Sequence, residues 1–179
     1  MTLLAVTTLV VTGCRNDTKS AAALTAVAST ASDKADEPEQ NTFTLPDWTT
    51  YDLNRQPVQL HTTFKDHQLT IVDFWASWCA PCMREVPNLV ALYEQYGGKG
   101  LGIVGISLDS NEQDWKAAID QKGMTWTQYS ELKGWEDHGV QTLGIDGIPF
   151  TIVVDSAGTV LTTGLRGEQL AQFVASHLK

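Results

Sequence analysis

An α/β domain with a central mixed β-sheet flanked by helices is the fold class that this sequence predicts, on three observations. Two continuous apolar runs, "LTIVDFWA" at 69–76 and "GIVGISL" at 102–108, lack the alternation of a half-solvated strand and read as strands buried on both faces of a sheet. Helical stretches alternate with these runs along the chain. The last two extended runs, "PFTIVVD" and "GTVLTTG", follow each other closely and read as a closing hairpin, which makes the sheet mixed.

The elements follow in order. "FTLPDWTTYDLNRQPVQL" places strand-like residues on either side of "LNRQ", the composition of an N-terminal β-hairpin with its turn. After the first buried strand, apolar periodicity predicts a helix over 80–96 that stops at Gly97-Gly98. The second buried strand is followed by Ser110 and Gln113, spaced as a capping box for a helix through Trp115 to Lys122. A short strand near "MTWTQY" and a helical stretch over 135–143 lead to the closing hairpin, and a last helix covers 167–178. No internal repeat is present in this part of the chain.

The 179 residues, 42% hydrophobic and 18% charged, suffice for one globular domain with a proper core. A net charge of −9 argues against nucleic acid as a partner. The folded domain is expected over 41–179, because the preceding chain has a different character. Residues 1–14, "MTLLAVTTLVVTGC", carry an apolar run of the length of a secretory signal, too short to cross a bilayer. No Lys or Arg precedes Cys14. Residues 15–40 are small and polar, end in an acidic run and read as a flexible tether of about 28 Å r.m.s. span.

Of the three cysteines, Cys79 and Cys82 stand three residues apart just after a buried strand, in "VDFWASWCAPC". Such a pair either clamps a metal or passes electrons. A metal needs further ligands, and the four histidines, His61, His67, His138 and His177, show no paired spacing, so no metal and no cofactor is expected. A purely structural disulfide over so short a loop would stabilise little. A cysteine at a helix start has its thiol pKa lowered by the unpaired amides and the helix dipole, which makes Cys79 the nucleophile. Cys82, one turn on, has its sulfur beside that of Cys79 and is the resolving cysteine. Pro81 suits a first helical turn, whereas Pro87 falls inside the helix and should kink it. Asp73 is the one carboxylate of "LTIVDFWA". Its burial raises its pKa, as a proton acceptor near neutral pH requires.

"VDFWASWCAPC" and "GIDGIP" together resemble the thioredoxin family, and the similarity spans nearly all of the chain from Thr42 onward. "CMREVP" after the motif, the extra helix and strand between Asp109 and Tyr129, and the tethered N-terminus are similar to the TlpA/ResA-like branch of membrane-tethered thiol:disulfide oxidoreductases. "LKGWED" and "LRGEQL" are similar to that branch's lipoprotein members, and "VTGC" resembles a lipobox, which would make Cys14 a lipidated N-terminus. The resemblance implies a thioredoxin-like fold with an N-terminal hairpin and a helix-strand insertion, and a cis peptide before Pro149, facing the two sulfurs. It further implies that Trp78, Ala80, Pro81, Ile148, Pro149 and Gly164 form the surface that receives a protein substrate. It places Asp73 behind Cys82, at a position where many TlpA-like proteins have asparagine, and it puts Gly105 where thioredoxins carry a lysine beside the aspartate.

The expected activity is therefore reduction of protein disulfides in the cell envelope, including those of apocytochromes, by a periplasm-facing, lipid-anchored enzyme fed by a membrane electron donor. "CAPC" supplies no charge between the cysteines, which favours a reductant over an oxidant. Two other classes stay open. "SLDSNEQDW" is also seen in peroxiredoxins, which would make the chain a thiol peroxidase, and a non-catalytic binding module would use the surface without the chemistry.

Overall fold

A computed structural model describes residues 43–178 of the chain. The predicted hairpin is there: β1 (Thr49–Tyr51) pairs antiparallel with β2 (Pro57–Gln59). Its turn is built by Asp52, whose Oδ1 accepts the amides of Asn54 and Gln56 at 2.8 Å, with Arg55 in the left-handed region.

Every residue of β3 (Leu69–Trp75) and β4 (Leu101–Ser107) is buried, which accounts for the unbroken apolar character of both runs. They are parallel neighbours, and β5 (Thr127–Tyr129) adds to β4 in the same sense. On the other side β6 (Phe150–Asp155) runs antiparallel to β3, and β7 (Val160–Thr163) closes against β6. The five-stranded order is β5-β4-β3-β6-β7, a mixed sheet with β3 at its centre. A central strand places whatever follows its C-terminal end over the middle of the sheet, and here that is the redox motif.

Among the described residues four α-helices flank the sheet: α1 (Ala80–Tyr96), α2 (Glu112–Lys122), α3 (His138–Leu143) and α4 (Gly167–His177). Helix α1 runs through Pro87 as one element and buries Cys82, Val86, Leu89 and Leu92. Two boundaries differ from the sequence expectation. Helix α2 is capped by Asn111, not Ser110: Asn111 Oδ1 accepts the amides of Gln113 at 2.8 Å and Asp114 at 3.3 Å. Helix α1, by contrast, stops at Gly97 as the sequence predicts; Gly97–Lys99 then form a 3-10 turn, and the chain reverses at Gly100, whose φ of 103° favours glycine. The expected helix over 135–143 is divided at Asp137, whose Oδ1 caps α3 through Gly139 and Val140 after a separate 3-10 turn, Gly134–Glu136. The signal and tether readings, and Cys14, fall outside the described residues.

Candidate active site

Cys79 is the N-cap of α1, with extended backbone. Its Sγ accepts the Cys82 amide at 3.2 Å, and its carbonyl accepts the Met83 amide at 3.0 Å. The sulfur therefore sits where a Ser or Asp side chain would cap a helix, among amides with no partner inside the helix. Pro81 fills the first turn, where its missing N–H costs nothing. Cys79 and Cys82 are joined as a disulfide, their Cα atoms 5.2 Å apart. Although Cys79 stands at the helix end, neither cysteine is open to solvent in the oxidised form: Cys79 is 5% exposed and Cys82 2%. In the disulfide both sulfurs are covered, so the helix-cap position, rather than exposure, separates their chemistry.

The cover comes partly from far along the chain. Cys79 Sγ lies 3.7 Å from the carbonyl oxygen of Ile148, 69 residues away, and the Ile148–Pro149 peptide is cis, as the resemblance implies. Ile148 is half-buried and Pro149 buried, while Trp78, Ala80 and Pro81 are exposed. Gly164 stands just past β7 with φ 73°, its amide donating to the Thr151 carbonyl at 2.7 Å.

One neighbour of this surface was not among the site residues expected from the sequence. Trp135, from the 3-10 turn before α3, stands beside Trp78 with ring centroids 6.4 Å apart, and both rings are open to solvent, 41% and 56% exposed. Trp78 also borders a groove of about 310 Å³, with Met83, Ala117 and Ala118 apolar and Asp114 and Lys122 charged. An exposed tryptophan has an apolar body that gains by being covered.

Asp73 lies in mid-β3, paired with Gly105 of β4 and Thr151 of β6. It is buried, and its Oδ1 has no hydrogen-bond partner. Desolvation, with a smaller push from the charge of Glu85, raises its pKa from 3.8 to about 7. Gly105 does not leave the vacancy that a missing lysine would. A Cβ there would run into Gln128 Oε1, which accepts the Trp75 indole N–H at 3.1 Å, so that side of Asp73 is filled by a neutral hydrogen-bonded pair. Glu85, half-buried in α1, accepts the Gly167 amide at 2.7 Å and so ties α1 to the start of α4. Among the described residues no group of three or more His, Cys, Asp or Glu is placed to hold a metal ion.

A family model described as thioredoxin-like matches residues 66–160, the stretch holding β3, the cysteine pair and the cis proline. The chain belongs to the thioredoxin-like family. Within it, the chain is similar to the thiol:disulfide interchange protein HelX of Rhodobacter capsulatus, 35% identical over 98 residues, 55% of this chain and 52% of HelX. It therefore spans about half the length of that relative. It is also similar to the thiol-disulfide oxidoreductase ResA of Bacillus thuringiensis subsp. konkukian, 28% identical over 134 residues, 75% of this chain and 74% of ResA. Among solved structures, the thioredoxin domain of a thiol-disulfide oxidoreductase from Bacteroides vulgatus superposes with a TM-score of 0.70 at 33% identity, covering 76% of this chain and 96% of that domain. A thiol:disulfide interchange protein from Bacteroides sp. gives 0.68 at 32%, covering 75% and 88%. Thioredoxin-like relatives named for thiol-disulfide chemistry, together with a bonded CxxC pair, support an oxidoreductase role for the chain.

Proposed function

We propose that this thioredoxin-like chain is a thiol:disulfide oxidoreductase that reduces disulfides of cell-envelope proteins. The observation that carries the reading is Cys79 at the N-cap of α1, bonded to Cys82, with its sulfur against the Ile148 carbonyl and the cis proline. In the reduced protein the Cys79 thiolate, stabilised by the helix end, attacks one sulfur of a substrate disulfide. A mixed disulfide forms and the first substrate thiolate leaves. Cys82 then gives its proton to Asp73, and the Cys82 thiolate attacks Cys79 Sγ and releases the second substrate thiolate. Two electrons have passed from the dithiol to the substrate, and the Cys79–Cys82 disulfide remains. A membrane dithiol donor returns it to the reduced form by the reverse exchange. Ile148 offers backbone hydrogen bonds to an extended substrate segment, and Trp78, Ala80, Pro81, Pro149 and Gly164 surround it.

Equilibration of the oxidised protein in glutathione redox buffers tests the reading. A single reversible two-electron transition assigned to Cys79 and Cys82 is expected, together with reduction of insulin disulfides. A pair that stays oxidised through the whole range, with no insulin reduction, would leave a binding module.

The tether reading belongs to the same proposal. With Cys14 acylated, the protein partitions with membranes and the domain works within reach of a membrane donor. A single acyl chain holds weakly and several hold firmly, so Cys14→Ser is expected to move the protein from the membrane to the soluble fraction. Wild-type protein found soluble, in cells that process other lipoproteins, would count against the anchor.

A further inference from the structure

The turn that carries Ser77 and Trp78 into Cys79 is held from β4. Asp109, two residues past β4, is fully buried, and both of its side-chain oxygens are used. The Ser77 amide lies 3.0 Å from Oδ2 and 3.3 Å from Oδ1. The Ser77 hydroxyl donates to Oδ1 at 2.6 Å, and the Ser107 hydroxyl donates to Oδ2 at 2.7 Å. Ser107 Oγ in turn accepts the Asp109 amide at 3.0 Å, and the Ser107 carbonyl accepts the Ser130 hydroxyl at 2.8 Å. Two backbone bonds frame this turn, Leu108 N–H to the Trp75 carbonyl at 2.8 Å and Cys79 N–H to the Ala76 carbonyl at 3.1 Å. Between them, Ser77 is the residue gripped by a side chain.

We propose that Asp109 is a positioning residue for the redox reaction: through Ser77 it holds Cys79 at the helix cap once the disulfide has been opened. The proposal rests on the reading of Cys79 as the nucleophile. In the oxidised protein the bond to Cys82 itself keeps Cys79 Sγ at the helix end. In the reduced protein that bond is gone, and the sulfur keeps its place among the amides only as far as the turn before it is fixed. A cap loses its effect on a thiolate within the first helical turn, so a small displacement of Cys79 matters to its acidity.

Two effects of opposite sign make the proposal testable. Loss of a nearby carboxylate charge by itself lowers a thiol's pKa, whereas loss of the helix-end position raises it. Asp109→Asn keeps the shape but not the grip. Because the Ser77 amide reaches both oxygens, one of its two acceptors becomes an NH2 group whichever way the side chain is turned. Ser77→Ala removes the hydroxyl bond with no change of charge.

Both variants are made in the reduced full-length chain carrying Cys82→Ser, so that Cys79 is the only thiol in its tryptic peptide, and iodoacetamide labelling of that peptide is followed from pH 5 to 9. Asp109→Asn is expected to raise the Cys79 pKa by about one unit, seen as roughly tenfold slower labelling at low pH, and Ser77→Ala by about half a unit. The double variant should match Asp109→Asn alone, since the two residues act through one bond set. Far-UV circular dichroism identifies any variant that fails to fold, in which case Ser77→Ala, the milder change, decides. A Cys79 pKa that is unchanged or lowered in the folded variants overturns the proposal. A parent chain whose Cys79 titrates near 8.5, as an ordinary thiol does, overturns the nucleophile reading and the proposal with it.

Discussion

Cys79→Ser is expected to abolish insulin reduction, while Cys82→Ser is expected to accumulate a covalent complex with its substrate. The asymmetry comes from the helix end. Cys79 Sγ accepts an amide of the first turn, and its thiolate gains from the remaining unpaired amides, whereas Cys82 is already inside α1. A substrate disulfide approaching along Ile148 meets Cys79 first, because it is the Cys79 sulfur that lies against that carbonyl. With Cys79 removed, the initial exchange has no nucleophile of lowered pKa. With Cys82 removed, the exchange begins and cannot finish, so non-reducing gels should show the trapped partner. Envelope extracts probed with Cys82→Ser would then name the substrates. An active Cys79→Ser protein would reverse the assignment of roles.

Asp73→Asn is expected to change both stability and rate, in a pH-dependent way. In the folded protein Asp73 holds its proton up to about pH 7, while in the unfolded chain it releases it near 3.8. Between these values the folded state binds the extra proton, so the Asp73 contribution to stability falls as pH rises and reaches its full penalty above about 7. A shift of this size corresponds to a penalty on the order of 4 kcal/mol. Asparagine carries no charge to desolvate. The oxidised variant should therefore be more stable than wild type at pH 8, by up to that amount, and should show no such gain at pH 4 or below. Urea unfolding of the two proteins at both pH values measures this, and an equal difference at the two would mean that Asp73 does not titrate in this range. In the same variant, attack by Cys79 should be nearly intact, but resolution by Cys82 should slow about tenfold at pH 7, or about 1.4 kcal/mol on the barrier. Stopped-flow exchange with a peptide disulfide reads both steps. Decay of the mixed disulfide at the wild-type rate would leave Asp73 a structural residue, with the Cys82 proton leaving through water.

The fold and the cysteine pair were legible in the sequence because both depend on neighbours along the chain. Buried strands without alternation, a helix beginning at Ala80 and a CxxC at its start are local patterns, and local hydrogen bonding and side-chain burial impose them. Capping was less legible: Ser110 and Asn111 are both good caps by type, and only the approach of the chain to α2 gives the role to Asn111.

What surrounds the pair was decided by tertiary structure. The Ile148 carbonyl comes to Cys79 from 69 residues away. Trp135 reaches Trp78 from another turn, and Asp109 reaches Ser77 across the parallel strands. The space beside Asp73 is likewise set by strand register. The resemblance puts Gly105 where thioredoxins carry a lysine, and the pairing of Gly105 with Gln128, and of Asp73 with Gly105, brings Gln128 and Trp75 to that place. By itself the sequence determined the reactive sulfurs and the succession of strands and helices along the chain, since these follow from spacing and periodicity. The partners that set the acidity, cover and reach of those sulfurs depend on which strands lie side by side and in what register, and that is settled only when the whole sheet packs.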